Sequence, residues 1–246
     1  KEEAIMKDFL FGVSTSATQI EGAYQQDGKG LSVWDHYSAR GLIENGHTCY
    51  TTCDSYNRLD EDLALIKGLG VNSYRFSINW SRIQPLGSGP INEKGVAYYN
   101  RLIDGLLAMG VKPMVTLFHW DLPLPLYEAG GFLNRDIVER FAEYARIVAE
   151  NFGDRVELFT VFNEPLVVLD FLYVRPVGGG DAVRTNQEVF EGVHNLLLCN
   201  AAATEALRKY SKKKIQVGMV NCTQLKVPAT NSAEDIEAAR AAVFAI

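Results

Sequence analysis

A parallel α/β barrel, with five strand–helix units present, is the fold this sequence predicts. Three observations lead there. Short apolar runs rich in Val, Ile, Phe and Thr alternate with longer segments of helical spacing. Hairpin signals between them are absent, so successive strands lie parallel, joined by right-handed crossovers. Gln19, Trp80, His119–Trp120 and Asn163–Glu164, unusual for a core, fall at the C-terminal end of one run after another. In a (β/α)8 barrel of the TIM type those ends together form the site-bearing face. A nucleotide-binding doubly wound sheet would carry a glycine-rich turn after its first strand. Here that turn reads Thr18-Gln19-Ile20-Glu21-Gly22, with neither G-x-G-x-x-G nor a P-loop.

The elements follow in order. Phe9–Thr18 is the first strand, and Tyr56–Gly70 repeats Leu59, Leu63, Ile66 and Leu69 at helical spacing, with Gly70 placed to cap it. Ser73–Trp80 is the second strand, followed by Gly95–Gly110 with Tyr99, Leu102, Ile103, Leu106 and Leu107 as its apolar stripe. Pro113–Trp120 is the third, and Arg135–Phe152 sets Ile137, Val138, Phe141, Tyr144, Ala145 and Val148 on one side. Leu158–Phe162 and Ile215–Cys222 complete the strands, several of which lack strict alternation, as strands buried on both faces do. Glu188–Tyr210 is the longest helix, and Ala233–Phe244 follows Ser232, a good N-cap, with Glu234 and Asp235 in its first turn.

No Pro/Ser tract or block of like charge divides the chain, so residues 1–246 read as one partial barrel domain. Three of eight units are missing, and an arc of five strands leaves two sheet edges and much apolar surface to be covered. The expectation is a piece of a longer chain, or a fold that a second chain completes.

A chain of 246 residues, 47% hydrophobic and 22% charged, has the composition of an ordinary globular protein. Its apolar runs fall far below the roughly 18 residues of a spanning helix, so no membrane insertion is expected. The charged Lys1–Met6 shows no signal peptide, which leaves a cytoplasmic protein and a secreted one with its leader removed both open. A net charge of −6, from 24 basic and 30 acidic residues, argues against nucleic acid as a partner. Four cysteines are too few for a disulfide scaffold; Cys49 and Cys53 are either free thiols or a local bridge. His47, Cys49 and Cys53 lack a second cluster at zinc-site spacing, so neither a metal nor another cofactor is expected. Asn79-Trp80-Ser81 and Asn221-Cys222-Thr223 match the glycosylation sequon but fall at strand ends expected to be buried.

Three clusters can carry chemistry. Phe162-Asn163-Glu164-Pro165 runs a strand into an amide, a carboxylate and a strand-stopping proline. Partial desolvation at such a rim suits a carboxyl to general-acid work, although a solvated strand-end glutamate fits the same residues. His119-Trp120-Asp121-Leu122-Pro123 sets a hydrogen-bonding ring beside an aromatic plate, a means of gripping a sugar; a histidine at the core edge beside a packed indole reads equally well. Tyr74-Arg75-Phe76-Ser77 embeds an arginine in an apolar strand. Such a cation needs an anionic partner, Glu164 or a carboxylate elsewhere, in a site or in a structural ion pair.

Four stretches agree in order and spacing. They are Phe9-Leu10-Phe11-Gly12-Val13-Ser14-Thr15-Ser16-Ala17-Thr18-Gln19-Ile20-Glu21-Gly22, Tyr74-Arg75-Phe76-Ser77-Ile78-Asn79-Trp80-Ser81-Arg82-Ile83, Val115-Thr116-Leu117-Phe118-His119-Trp120-Asp121-Leu122-Pro123 and Thr160-Val161-Phe162-Asn163-Glu164-Pro165. From Phe9 to Ile246 the chain resembles glycoside hydrolase family 1, the β-glucosidase family with lactase-like and klotho-like members. The resemblance implies a retaining β-glycosidase with Glu164 as acid/base. It implies that Gln19, His119 and Asn163 hydrogen-bond the sugar, Asn163 at the 2-hydroxyl, and that Trp120 lines the pocket. Arg75 matches the arginine that keeps the nucleophilic carboxylate ionised.

Two departures stand beside it. The family's nucleophile lies in a Thr-Glu-Asn-Gly type motif on the seventh strand, which this chain does not contain. Glu164 alone cannot form and hydrolyse a glycosyl-enzyme, since retention needs two carboxyls about 5–5.5 Å apart. Leu166 stands where a tryptophan is frequent, and Tyr173-Val174-Arg175-Pro176-Val177-Gly178-Gly179-Gly180 replaces the family's usual loop at the pocket mouth. Two readings follow: the N-terminal portion of a β-glycosidase, or a klotho-like protein that binds sugar or another partner without turnover.

Overall fold

The computed structural model describes residues 9–174, 185–222 and 225–244. Five strands form one sheet: β1 (Gly12–Ser14), β2 (Ser73–Ser77), β3 (Lys112–Phe118), β4 (Leu158–Asn163) and β5 (Gln216–Val220). Each pairs in parallel with the next, in the order β1-β2-β3-β4-β5. A doubly wound sheet reverses its strand order at a switch point. This one never reverses, which is the topology of a barrel.

Five principal helices connect or follow the strands: α1 (Leu59–Gly68), α2 (Glu93–Ala108), α3 (Ile137–Phe152), α4 (Asn186–Tyr210) and α5 (Ala233–Phe244). The apolar spacing of α2 buries Val96, Tyr99, Leu102, Ile103 and Leu106, and that of α3 buries Phe141, Tyr144, Ala145, Val148 and Phe152. Phe141 stacks on Phe162 of β4 with ring centroids 4.8 Å apart, which locks α3 to the sheet. The Thr185 hydroxyl and the Glu188 carboxylate cap the start of α4 reciprocally, so that helix begins two residues earlier than its apolar pattern indicates. Gly70, at φ 67°, follows the end of α1, and Ser232 accepts from the Asp235 N–H at the start of α5.

The structure corrects several sequence expectations. β1 is three residues long, because the chain leaves the sheet after the Thr15 N–H bonds Arg75 O and then turns where the Ala17 N–H meets the Ser77 hydroxyl at 2.7 Å. Gln19 therefore rides on the helical turn Ala17–Ile20 rather than on a strand end. Trp80 is fully buried and stacked on Tyr144 at 4.9 Å, so it serves the core and not the site-bearing face. Leu69, at the C-terminal end of α1, is exposed. Asn79 is buried with its side chain capping the next turn, as expected, whereas Asn221 is exposed. Among the described residues no helix is long and apolar enough to cross a membrane.

Candidate active site

A cavity of about 430 Å³ opens where the ends of β1 to β4 converge. Gln19, Arg75, His119, Trp120, Asn163 and Glu164, drawn from four separate stretches of sequence, all line it, together with Ser16, Thr18, Trp34, Cys49 and Thr52. Their convergence follows from the parallel order. Each strand delivers its C-terminal residues to the same rim, whatever their separation along the chain.

Three of these residues hold a left-handed backbone: Thr52 at φ 47°, Trp120 at φ 71° and Glu164 at φ 53°. Outside glycine this conformation costs on the order of 1–3 kcal/mol and persists only where neighbours impose it. Here the Trp120 indole N–H donates to Asn163 O at 2.9 Å, and the Glu164 N–H donates to Val220 O at 2.7 Å, tying both to β4 and β5. Pro165 then opens the short helix Pro165–Leu169, which turns the chain away from the cavity.

Arg75 Nη1 donates to Asn163 Oδ1 at 3.1 Å, and no carboxylate of the described residues lies within 4.0 Å of its guanidinium. The anionic partner expected for it is thus met only across the cavity, by the field of Glu164, while burial lowers its affinity for the proton. Asn163 is 4% exposed, and with Oδ1 engaged its amide nitrogen has no partner among the described residues. Gln19 is exposed and its Oε1 accepts from the Ser16 hydroxyl at 2.8 Å.

His119 is held neutral. Burial, reinforced by the Arg75 charge, lowers its pKa to about 4, and its Nδ1 has no hydrogen-bond partner among the described residues. A neutral imidazole offers one donor and one acceptor, the pattern of a sugar hydroxyl. Because the folded value lies below 6.5, its unfolded reference, this group withdraws stability as pH falls from about 6.5 towards 4. The slope is at most ~1.4 kcal/mol per pH unit, less for partial exposure. Urea unfolding at pH 4.5, 5.5 and 6.5 should show a shallower decline in His119→Gln than in the parent; identical slopes would refute the assignment.

Behind the cavity floor, Glu21 and Arg82 form an ion pair at 2.8 Å with side chains 4% and 1% exposed. The Tyr99 hydroxyl donates to the other Glu21 oxygen, Arg82 Nη2 donates to Gly22 O at 3.2 Å, and the guanidinium lies 4.1 Å from the Tyr56 ring centre. Gly22, at φ 62°, has no room for a side chain, since a Cβ would stand 2.0 Å from Thr51 O. The pair thereby joins the turn carrying Gln19, the segment after β2 and the loop carrying Cys49 and Thr52. Phe171 lies between Trp34 and Trp120, at 4.9 and 5.6 Å, and backs the aromatic wall. Cys49 and Cys53 are free, and burial pushes the Cys49 thiol up. Among the described residues no group of three or more His, Cys, Asp or Glu is placed to hold a metal.

The sequence model of Glycosyl hydrolase family 1 matches residues 1–245. The chain belongs to this family. It is 45% identical over 237 residues to Beta-glucosidase A of Acetivibrio thermocellus, with 95% of the chain and 52% of that protein covered. It is 43% identical to Beta-glucosidase 14 of Arabidopsis thaliana, with 97% and 53% covered. A Thermotoga maritima β-glucosidase solved with deoxynojirimycin superposes with a TM-score of 0.88 at 44% identity, over 95% of this chain and 53% of that one. The chain thus spans about half the length of the family 1 relatives it matches, and its five-stranded sheet is the corresponding part of a TIM-type barrel.

Within this family 1 chain, motif reading finds Gln19 and the side chains on the strand ends and misses Trp34, Cys49 and Thr52. Trp34 lies within the capping box Ser32-x-x-Asp35, in the first turn of the helix Val33–Ala39, and that capping signal is the local pointer to it. Cys49 and Thr52 reach the cavity through a loop whose sequence gives no periodic signal. Of the divergent mouth loop, Leu166 is exposed and the Tyr173 hydroxyl accepts the Phe132 N–H at 2.8 Å; Arg175–Gly180 lie outside the described residues.

Proposed function

We propose that residues 1–246 are part of one barrel domain of a retaining β-glycosidase that hydrolyses β-glucosides or related β-glycosides. Its supporting observation is the convergence of Gln19, Arg75, His119, Trp120, Asn163 and Glu164 on one cavity. In this reading protonated Glu164 donates to the glycosidic oxygen as the bond to the anomeric carbon breaks. The same carboxylate then takes a proton from the water that releases the sugar. Asn163 offers its free amide N–H₂ to the 2-hydroxyl, while neutral His119 and Gln19 bond further hydroxyls and Trp120 covers the ring face. Arg75 holds ionised a nucleophilic carboxylate supplied by residues other than those described. The sugar mimics bound by Thermotoga maritima β-glucosidase, deoxynojirimycin and castanospermine, fit the same ligand class.

A second reading has a specific observation behind it: Glu164 is the sole carboxylate among the described residues lining the cavity. Sugar binding without turnover would follow if no second carboxylate is brought beside Arg75, by further sequence or by a partner chain. Native mass measured alongside hydrolysis of a nitrophenyl β-glucoside separates the two. Release of the β-anomer first, followed by NMR, is expected of the glycosidase. Sugar binding with no nitrophenol release leaves the second reading, and absence of both sinks the sugar site itself.

A further inference from the structure

Asp121 is completely buried and has no role in the chemistry above. It directly follows His119 and Trp120, which give the cavity its imidazole and its aromatic wall. Oδ1 accepts the His119 backbone N–H at 3.4 Å, while Oδ2 has no hydrogen-bond partner among the described residues. Between the two, Trp120 is held at φ 71°. The same segment is fastened on its far side, where the Val33 N–H donates to Leu122 O at 2.9 Å and the Leu124 N–H donates to Leu31 O at 2.8 Å. The turn at 119–121 is therefore continuous with the chain that carries Trp34. For packing alone an apolar side chain would suffice at this position, since a buried carboxyl with an unsatisfied oxygen is costly.

We propose that Asp121 is a positioning residue of the cavity: by accepting the His119 N–H from within the core, its carboxyl fixes the left-handed turn that presents the imidazole and the indole. The inference rests on the glycosidase reading only for the identity of the ligand; the turn and its restraint do not depend on it.

The groups facing Asp121 give this restraint a pH dependence. Glu21 opposes its ionisation with like charge, the backbone N–H groups of Asp121 and His119 and then Lys29 favour it, Tyr144 of α3 contributes a neutral phenol, and the His119 ring is uncharged. Burial outweighs them all and raises the Asp121 pKa to about 8, so the carboxyl is protonated at neutral pH. Ionisation above that point places an unsatisfied charge behind the turn. That charge strains the turn and alters the surroundings of the Trp120 indole.

The test follows tryptophan fluorescence and near-ultraviolet circular dichroism from pH 6 to 10, with KM and kcat for a nitrophenyl β-glucoside over the same range. The parent protein should show a spectral transition with its midpoint near 8 and a KM that rises several-fold through it. Asp121→Asn should abolish both changes, and Trp120→Phe should remove the spectral one. Asp121→Leu, which fills the space without the acceptor, should raise KM about tenfold and alter kcat less. A parent protein with no transition overturns the proposal, as does a transition that survives in Asp121→Asn. Should Asp121→Leu fail to fold, the Asp121→Asn titration decides alone. Should no glucoside be hydrolysed, the glycosidase reading fails while the spectral titration still decides the role of Asp121.

Discussion

Glu164→Gln should lower the hydrolysis of alkyl β-glucosides by about 10²–10⁴-fold, the range a positioned general acid supplies. The amide keeps the size of the side chain and the left-handed backbone of residue 164, so cavity shape is preserved and only proton transfer, to the leaving group and from water, is lost. The size of the defect should follow the leaving group. An alkoxide leaves poorly without a proton, whereas a nitrophenolate needs little help. Nitrophenyl glucosides should therefore lose far less in the first step, and a burst of nitrophenol should appear because water attack, which needs the same residue as base, becomes limiting. A plot of log kcat/KM against leaving-group pKa should be steep in the variant and shallow in the parent. Equal losses across the series would assign Glu164 to binding or folding and remove it from the chemistry.

The parts of this site that could be read from sequence are those attached to regular strands. An apolar run ending in His-Trp or Asn-Glu announces both a strand and a polar rim, and parallel order does the rest, so residues 75, 119, 120, 163 and 164 were legible before any contact was known. Trp34 and Thr52 were not. Trp34 stands in the first turn of the short helix Val33–Ala39 and Thr52 on a loop, both placed by distant contacts such as the close approach of Gly22 to Thr51 O, and no local periodicity encodes such a contact. Trp80 misleads for the opposite reason: its place at the end of an apolar run suggests the rim, yet stacking on Tyr144 and an edge-to-face contact with Phe141 draw it into the core. The extent of β1 was overread because Phe9 to Thr18 has strand composition throughout, while only Gly12–Ser14 finds a partner in β2.

Arg82→Met should destabilise the protein by about 3–5 kcal/mol, because it leaves the Glu21 carboxylate buried without its cation. Surface pairs in the same molecule give the contrast. Arg58–Glu61 is formed at 2.6 Å between side chains more than half exposed, and its removal should leave stability nearly unchanged. Burial, not distance, separates the two cases. The Glu21→Leu/Arg82→Met double variant, which removes both charges and refills the space with apolar atoms, should recover much of the loss. Urea unfolding of the two single variants and the double yields the coupling directly, and additive losses would mean that the pair is held by its surroundings rather than by each other. The defect should also reach the cavity. Glu21 lies two residues beyond Gln19, and Arg82 bonds Gly22 O, so an unpinned turn displaces Gln19 and the Thr51–Thr52 loop together. Sugar affinity in Arg82→Met, measured under conditions where the variant remains folded, should therefore fall although residue 82 does not line the cavity. Unchanged affinity would confine the ion pair to stability alone.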